Sequence, residues 1–446
     1  MSNEPNLNPV VTIQEGKVKG FLCDDYRGSP FYNFLGIPYA QPPINELRFK
    51  APVPIKPWSG ILDCTQGSNI SIQEDYISKE IDGSEDCLNL NVFTRQLPAI
   101  HTSKKLLKPV MVYIHGGAFL LGSNRKEIYG PEILISEDVV VVTINYRLGL
   151  LGFLKFDDPN LNVPGNTALK DMVLALKWVQ RNIEHFLGNP KNVTIFGNSA
   201  GAAAVHFLVL SPMAKGLFHK AICQSGSALS SWAYADKNTN EQLAKIIGLS
   251  KPSEERLYEH LKSLPVEEIY RMQCQLDKIY IKGNRYRFVG AVVEPTKWNG
   301  EKFFSDHPLK LLKSGKYNKV PLMMGYNTGD GMILDGMVQP SQNHIYWTDK
   351  ELNVPGLLNL EKGSSLSKQL GNEIVQFYFG TDEISREKHL KELYDLTTDN
   401  SFLSGILRSI RHHRTTSNVP IYMYQLSIDS ELCFYKRMLN IQLPGG

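Results

Sequence analysis

One stretch constrains the fold of this chain more than any other: Asn192 to Gly201, N-V-T-I-F-G-N-S-A-G. Val193 to Phe196 is a short apolar run of β-branched and aromatic residues, the signal of a buried strand. Ala202 to Leu210 reads as a helix. Gly197-Asn198-Ser199-Ala200-Gly201 joins the two with no room for a loop. A serine flanked by glycines at −2 and +2, between a strand and a helix, has the pattern of a nucleophile elbow. The turn is sharp and strained, and bulk at either flank would clash with the neighbouring strand or helix. The pentapeptide alone also fits an ordinary strand-to-helix turn, so its surroundings must decide.

Those surroundings alternate apolar strands with helices. Val110 to Ile114, Val139 to Tyr146, Ala221-Ile222-Cys223, Val320 to Gly325 and Val419 to Ile428 all read as strands, as does the alternating run Leu88 to Phe93. Asn166 to Phe186 reads as a helix, with Leu169, Met172, Val173, Leu176, Val179, Ile183 and Phe186 at helical spacing. Near the N-terminus, residues 9 to 22 read as a small β-hairpin turning near Gly16, ahead of a proline-dense stretch from Phe31 to Trp58. The expected fold is α/β, with a mostly parallel sheet covered on both faces. Residues 230 to 318 and 340 to 415, helical and charged, read as insertions on one sheet edge that roof a site. No linker or repeat divides residues 1–446, which are taken as one domain.

The 48 Lys and Arg against 45 Asp and Glu leave a net charge of +3. That balance gives no reason to expect a nucleic-acid partner or an anionic membrane surface. No apolar run reaches the ~18 residues of a membrane span. The start, Met1-Ser2-Asn3-Glu4-Pro5-Asn6, lacks the basic and apolar segments of a signal peptide. Cys23, Cys64, Cys87, Cys223, Cys274 and Cys433 have no metal-type spacing and read as free thiols. A cytoplasmic protein without metal or cofactor is the expectation.

Three stretches suit acyl transfer. Ser199 is the candidate nucleophile. His115-Gly116-Gly117-Ala118 follows a strand end, where glycines leave backbone N–H groups open to a developing oxyanion, and the N–H of Ala200 would add a third donor. Asp330 lies on a loop after a strand, in the interval that the order serine, acid, histidine requires; Asp335 competes with it. After Asp330 the histidines are His344, His389, His412 and His413, each in a polar or charged segment that reads as solvated surface. None occupies a loop beyond the last strand.

Taken together, these motifs resemble the type-B carboxylesterases of the α/β-hydrolase fold, most of all the intracellular insect esterases. The resemblance runs from about Val10 onward. It includes Gly36-Ile37-Pro38-Tyr39-Ala40-Gln41-Pro42-Pro43, Leu47-Arg48-Phe49, Ser84-Glu85-Asp86-Cys87-Leu88, Asn145-Tyr146-Arg147-Leu148-Gly149, Trp178-Val179 and the elbow. It implies hydrolysis of small carboxylic esters through an acyl-enzyme on Ser199, which an organophosphate would also modify. It further implies Gly116, Gly117 and Ala200 as oxyanion donors, Asp330 where Glu is usual, buried pairs Arg48–Glu85 and Arg147–Asp171, and Trp232 in the acyl pocket. Three positions depart from the family. Asn198 precedes the nucleophile where Glu, Gln or His is common. The family's usual cysteine partner for Cys87 is absent near Ile72-Gln73, and Cys64 is the only upstream alternative in that loop. Leu443-Pro444-Gly445-Gly446 resembles the segment just before the family's catalytic histidine, so the triad histidine is expected to be missing from the chain as written, its C-terminal end incomplete and its activity low. The alternative is a non-catalytic protein that binds a ligand or partner on the esterase fold.

Overall fold

The computed structural model describes residues 7–75, 79–98, 106–235, 239–281, 287–333, 335, 348–358, 360–430, 433, 436–437 and 441. His344 and residues 443–446 lie outside them. Val10–Ile13 (β1) and Gly16–Lys19 (β2) form the expected hairpin, Ile61–Asp63 (β5) joins it in parallel, and Gln73–Glu74 (β6) pairs with Ile81–Asp82 (β7). The main sheet begins with Phe21–Asp24 (β3), Pro30–Pro38 (β4) and Asn89–Thr94 (β8), paired antiparallel. It continues through Lys108–Ile114 (β9), Val140–Ile144 (β10), Gly188–Asn198 (β11), Lys220–Gln224 (β12), Leu322–Asn327 (β13) and Ile421–Leu426 (β14). The spatial order is β14-β13-β12-β11-β9-β10-β8-β4-β3. From β10 to β14 every pairing is parallel, so the strands needed helical crossovers between them.

Those crossovers are Gly149–Phe153 (α2) and Thr167–Asn182 (α3), after the short Lys126–Tyr129 (α1), and then Ala200–Leu210 (α4). In α3 and the 3-10 turn Ile183–Phe186 that follows it, the expected stripe is buried, together with Ala168, Ala175 and Trp178. Two charges share its buried length. Asp171 accepts from the Arg147 backbone N–H, Nε and Nη2, at 3.1, 2.9 and 2.7 Å. Lys170 meets Glu294 at 2.7 Å and lies 4.1 Å from the centre of the Trp298 ring. Arg48 and Glu85 form the other expected pair, at 2.5 Å, and Arg48 Nη1 also donates to the carbonyls of Lys262 and Leu264. Burial of unpaired charge is costly, and each of these charges is matched.

Leu88 to Phe93 holds the expected strand, Asn89–Thr94. All of β8 is buried. Its asparagines are tied into neighbouring backbone: Asn89 Nδ2 donates to the Asn69 carbonyl and Asn91 Nδ2 to that of Asn124. The helices Thr239–Ile246 (α5), Glu254–Ser263 (α6), Val266–Ile281 (α7) and Pro308–Ser314 (α8) fill the first expected insertion. Ser365–Phe379 (α9), Arg386–Thr398 (α10) and Ser404–Thr416 (α11) fill the second. Among the described residues, no helix is long and apolar enough to cross a membrane.

Candidate active site

β11 enters the site from the centre of the sheet and ends at Asn198. Ser199 follows with φ 54° and ψ −121°, and α4 begins at Ala200. A non-glycine residue held at such positive φ costs about 1–3 kcal/mol and persists only where the surroundings over-determine it. Here the surroundings do. The Ser199 N–H donates to the Gln224 carbonyl at 2.8 Å. A methyl on Gly197 or Gly201 would overlap the Ile114 carbonyl oxygen at the end of β9, and one on Gly226 would lie 2.5 Å from the Ser199 carbonyl. Strand end, turn and helix start therefore pack backbone to backbone, and only glycine fits.

The His115 turn lies beside the serine. A methyl on Gly116 would sit 2.7 Å from the Asn198 carbonyl and 3.3 Å from Ser199 Cβ. His115 Nδ1 is 2.8 Å from the Gly116 carbonyl oxygen, which can only accept, so the ring carries its proton on Nδ1. The ring is buried and stacked on Tyr146, with centroids 4.2 Å apart. Tyr146 OH in turn donates to the His115 carbonyl at 2.8 Å. A trans peptide points its C=O and N–H in opposite directions. Holding the Gly116 carbonyl toward His115 therefore turns the Gly117 N–H the other way. Burial pushes His115 down to about 4, which keeps the ring neutral. Gln73 closes the far side of this turn, donating from Nε2 to the Gly122 carbonyl and accepting its N–H, at 2.9 and 2.7 Å. The Gly116 and Gly117 amides donate to no carbonyl among the described residues. Ala200 N–H is one of the unpaired donors at the start of α4, where the helix dipole favours negative charge.

Asn198, the departure beside the serine, has a definite partner: Tyr113 OH donates to its Oδ1 at 2.9 Å. Tyr113 packs between Tyr129 and Phe196. The position thus carries a tethered amide.

Asp330 begins the turn after β13. Its Oδ2 accepts the Asn327 N–H at 3.0 Å. Its low-dielectric surroundings push the carboxyl up to about 6, a rise only partly offset by the Asn327 amide and the Ser225 hydroxyl. Ser225 was not singled out in the sequence. It follows β12 at φ 57° and donates its own N–H to the Gly325 carbonyl at 2.8 Å. The signal for it was the S-G-S run directly after an apolar strand. Because β11, β12 and β13 are neighbours, Ser199, Ser225 and Asp330 lie along successive strand ends. Asp335, the competitor, is consumed elsewhere by Arg386 and the Tyr394 hydroxyl. Trp232 is half-buried, donates from Nε1 to the Ser401 carbonyl at 2.7 Å, and packs near Phe402. Both partners lie in Asp399–Leu403, a π-helical turn between α10 and α11; such turns are frequent at functional sites.

The histidines after Asp330 need correcting. His413 is not solvated. It is buried and bonded to His206 and Tyr317. His389 is half-buried against Phe379, with Nδ1 at Ser385. Among the described residues, none of His389, His412 and His413 meets Asp330. All six cysteines are free, as expected.

Comparison with known proteins identifies the family and the fold. The model of the "Carboxylesterase family" matches residues 7–439. Esterase FE4 of Myzus persicae is 35% identical over 433 residues, which are 94% of this chain and 73% of that protein. The juvenile hormone esterase of Tribolium castaneum is 33% identical, over 96% of this chain and 74% of its own. The crystal structure of juvenile hormone esterase from Manduca sexta, with OTFP covalently attached, superposes with a TM-score of 0.86 at 29% identity. It covers 98% of this chain and 82% of that one. The chain belongs to the carboxylesterase family and is a carboxylic ester hydrolase on the α/β-hydrolase fold.

Proposed function

We propose that Ser199 is the nucleophile of this ester hydrolase, that Asp330 is the acid of its triad, and that the N–H groups of Gly116, Gly117 and Ala200 form the oxyanion hole. Ser199 Oγ gives up its proton to a base and attacks the ester carbonyl. The carbonyl oxygen becomes the oxyanion and collapses to release the alcohol, and water then hydrolyses the acyl group from Ser199. The observation that carries this reading is the strained Ser199 held against Gly116. The covalent adduct in the Manduca sexta structure accords with it. Trp232 lines the acyl pocket and limits acyl-chain length. A cytoplasmic location accords with six unpaired thiols; recovery of the tagged chain from the medium rather than the cytosol would refute it.

No base is assigned among the described histidines. A fluorophosphonate, a class that includes the organophosphate adducts expected at this serine, is to be added to the chain and to its Ser199→Ala variant, and the adducts located by mass spectrometry. The expected result is one adduct, on Ser199, absent from the variant. An adduct that survives Ser199→Ala would end the assignment of the nucleophile.

A further inference from the structure

The buried pair His206–His413 has no place in the reaction just described. His206 lies seven residues beyond Ser199, two turns along α4 and so on the same face. Its Nδ1 is 2.9 Å from the Ala228 amide nitrogen, and its Nε2 is 2.8 Å from Nε2 of His413 on α11. His413 Nδ1 is 3.0 Å from Tyr317 OH, which lies 2.8 Å from Thr416 Oγ1. Thr416 Oγ1 donates to the His412 carbonyl at 2.8 Å.

Hydrogen-bond chemistry allows one arrangement of protons along this chain. A backbone amide only donates, so His206 Nδ1 is bare and Nε2 carries the proton. His413 must then accept at Nε2 and donate from Nδ1 to the Tyr317 oxygen. Tyr317 donates to Thr416, which donates to a carbonyl that only accepts. A second proton on His206 would face the Ala228 N–H, and one on His413 would face the His206 N–H. Both rings are therefore neutral in this structure.

The charged neighbours reinforce this. His412 disfavours a charge on His413, and Lys313 of α8 and Arg408 of α11 bear on His412. No carboxylate is among the groups that act on either ring. Burial, the larger cause, holds His206 well below its ordinary range and His413 down to about 4.

The chain ends on a turn that matters to the site. Ala228 belongs to the segment 225–230, which follows β12. In that segment the Ser225 hydroxyl lowers the Asp330 carboxyl, and Gly226 lies against the Ser199 carbonyl. The turn is closed by Ser227 N–H to Ser230 Oγ and Leu229 N–H to Ser227 Oγ, each at 3.1 Å. Gly405 of α11 packs directly on Ser230. We propose that His206, His413 and Tyr317 form a neutral positioning chain that fixes the 225–230 turn against α4, and so holds the Ser225 hydroxyl on Asp330 in register with Ser199. The inference rests on the Ser199–Asp330 site proposed above. These are positioning residues: none touches the reacting atoms.

The full chain, with ¹⁵N-labelled histidine, reports the tautomers by NMR. The expected result is a proton on Nε2 of His206 and on Nδ1 of His413, with neither ring titrating above about pH 5. The second reading is the rate at which a fluorophosphonate modifies Ser199, with the melting temperature of each variant measured alongside. His206→Phe keeps a ring but leaves the Ala228 amide unsatisfied, and is expected to slow labelling about tenfold. His206→Asn keeps an acceptor where Nδ1 stood, and is expected to stay within about twofold of the unsubstituted chain. If His206→Phe does not fold, His413→Phe, which breaks the chain one bond further out, takes its place with the same expected slowing. A folded Phe variant that reacts at the unsubstituted rate overturns the proposal, as does an imidazolium at either position at pH 7. Failure of the site reading looks different: the unsubstituted chain would then give no adduct on Ser199 at all.

Discussion

The two sides of the candidate site are held by different forces. Ser199 stands at the middle of the sheet, where every residue of α4 is buried. Its neighbours are fixed by contact: Gly116, Gly197, Gly201 and Gly226 each meet backbone atoms that leave no space for a methyl. Asp330 stands after β13, one strand from the edge, where β14 is largely exposed. Asp330 itself is fixed by the Asn327 amide and its carboxyl is lowered by the Ser225 hydroxyl, while Gly331 beside it donates its N–H to Thr398 Oγ1 of α10 at 2.8 Å and lies against the Tyr394 carbonyl. Steric constraint admits one residue type. Hydrogen bonding admits many. The serine side should therefore be brittle in stability, and the acid side tolerant in stability while sensitive in chemistry.

The largest expected loss lies in the central half. Asp171 satisfies three Arg147 donors with no solvent near either group. Asp171→Ala leaves the guanidinium buried and unpaired, and should cost about 3–5 kcal/mol in urea unfolding. A loss under about 1 kcal/mol would mean that water enters α3 and that the central half is less rigid than its packing indicates. Gly201→Ala comes next. The added methyl must displace the Ile114 carbonyl or the elbow itself, at about 1–3 kcal/mol. Loss of Ser199 labelling should accompany it, because the same shift moves the serine.

On the acid side the sign reverses. The Asp330 carboxyl, near 6 in the folded chain, has an ordinary value of 3.8. Between those values the folded state binds more protons than the unfolded one, so the contribution of Asp330 to stability worsens as pH rises through the window. Above pH 6 the whole penalty of burying the charge is present. Asp330→Asn should then stabilise the chain by roughly 1–3 kcal/mol at pH 8 and change little below pH 4. A destabilised Asn variant at pH 8 would show that the carboxylate is held by more than Asn327 and Ser225.

The same division explains what the sequence disclosed. The elbow and the His115 turn were legible because sterics fix their glycines at set spacings. The strands beside them were legible as apolar runs, although β11 runs from Gly188 rather than Val193. Ser225 was not, since a hydroxyl that supports a carboxylate carries no required spacing. His413 was hidden for another reason. Its neighbours Arg411 and Arg414 are exposed, and the local run reads as charged. Helical period gives the better reading: Ile406, Ser409 and His413 recur on one face of α11, and all are buried. The alternation of β8 disclosed the strand but not that both its faces are buried, because Asn89 and Asn91 spend their amides on buried carbonyls.

The smallest effect is expected at the sheet's edge. Tyr422, Met423 and Leu426 of β14 are 56%, 46% and 42% exposed. Exposed apolar side chains on an edge strand add little to stability, and they invite pairing with another chain. Met423→Lys removes part of that apolar surface and places a charge on the strand. Because the site already faces water, its cost should stay within about 0.5 kcal/mol. Self-association at high concentration should fall, as read by sedimentation velocity. A cost above about 2 kcal/mol would have only one physical source, the burial of a charge without a partner. It would mean that Met423 is covered in solution, and that the acid side is packed as closely as the serine side.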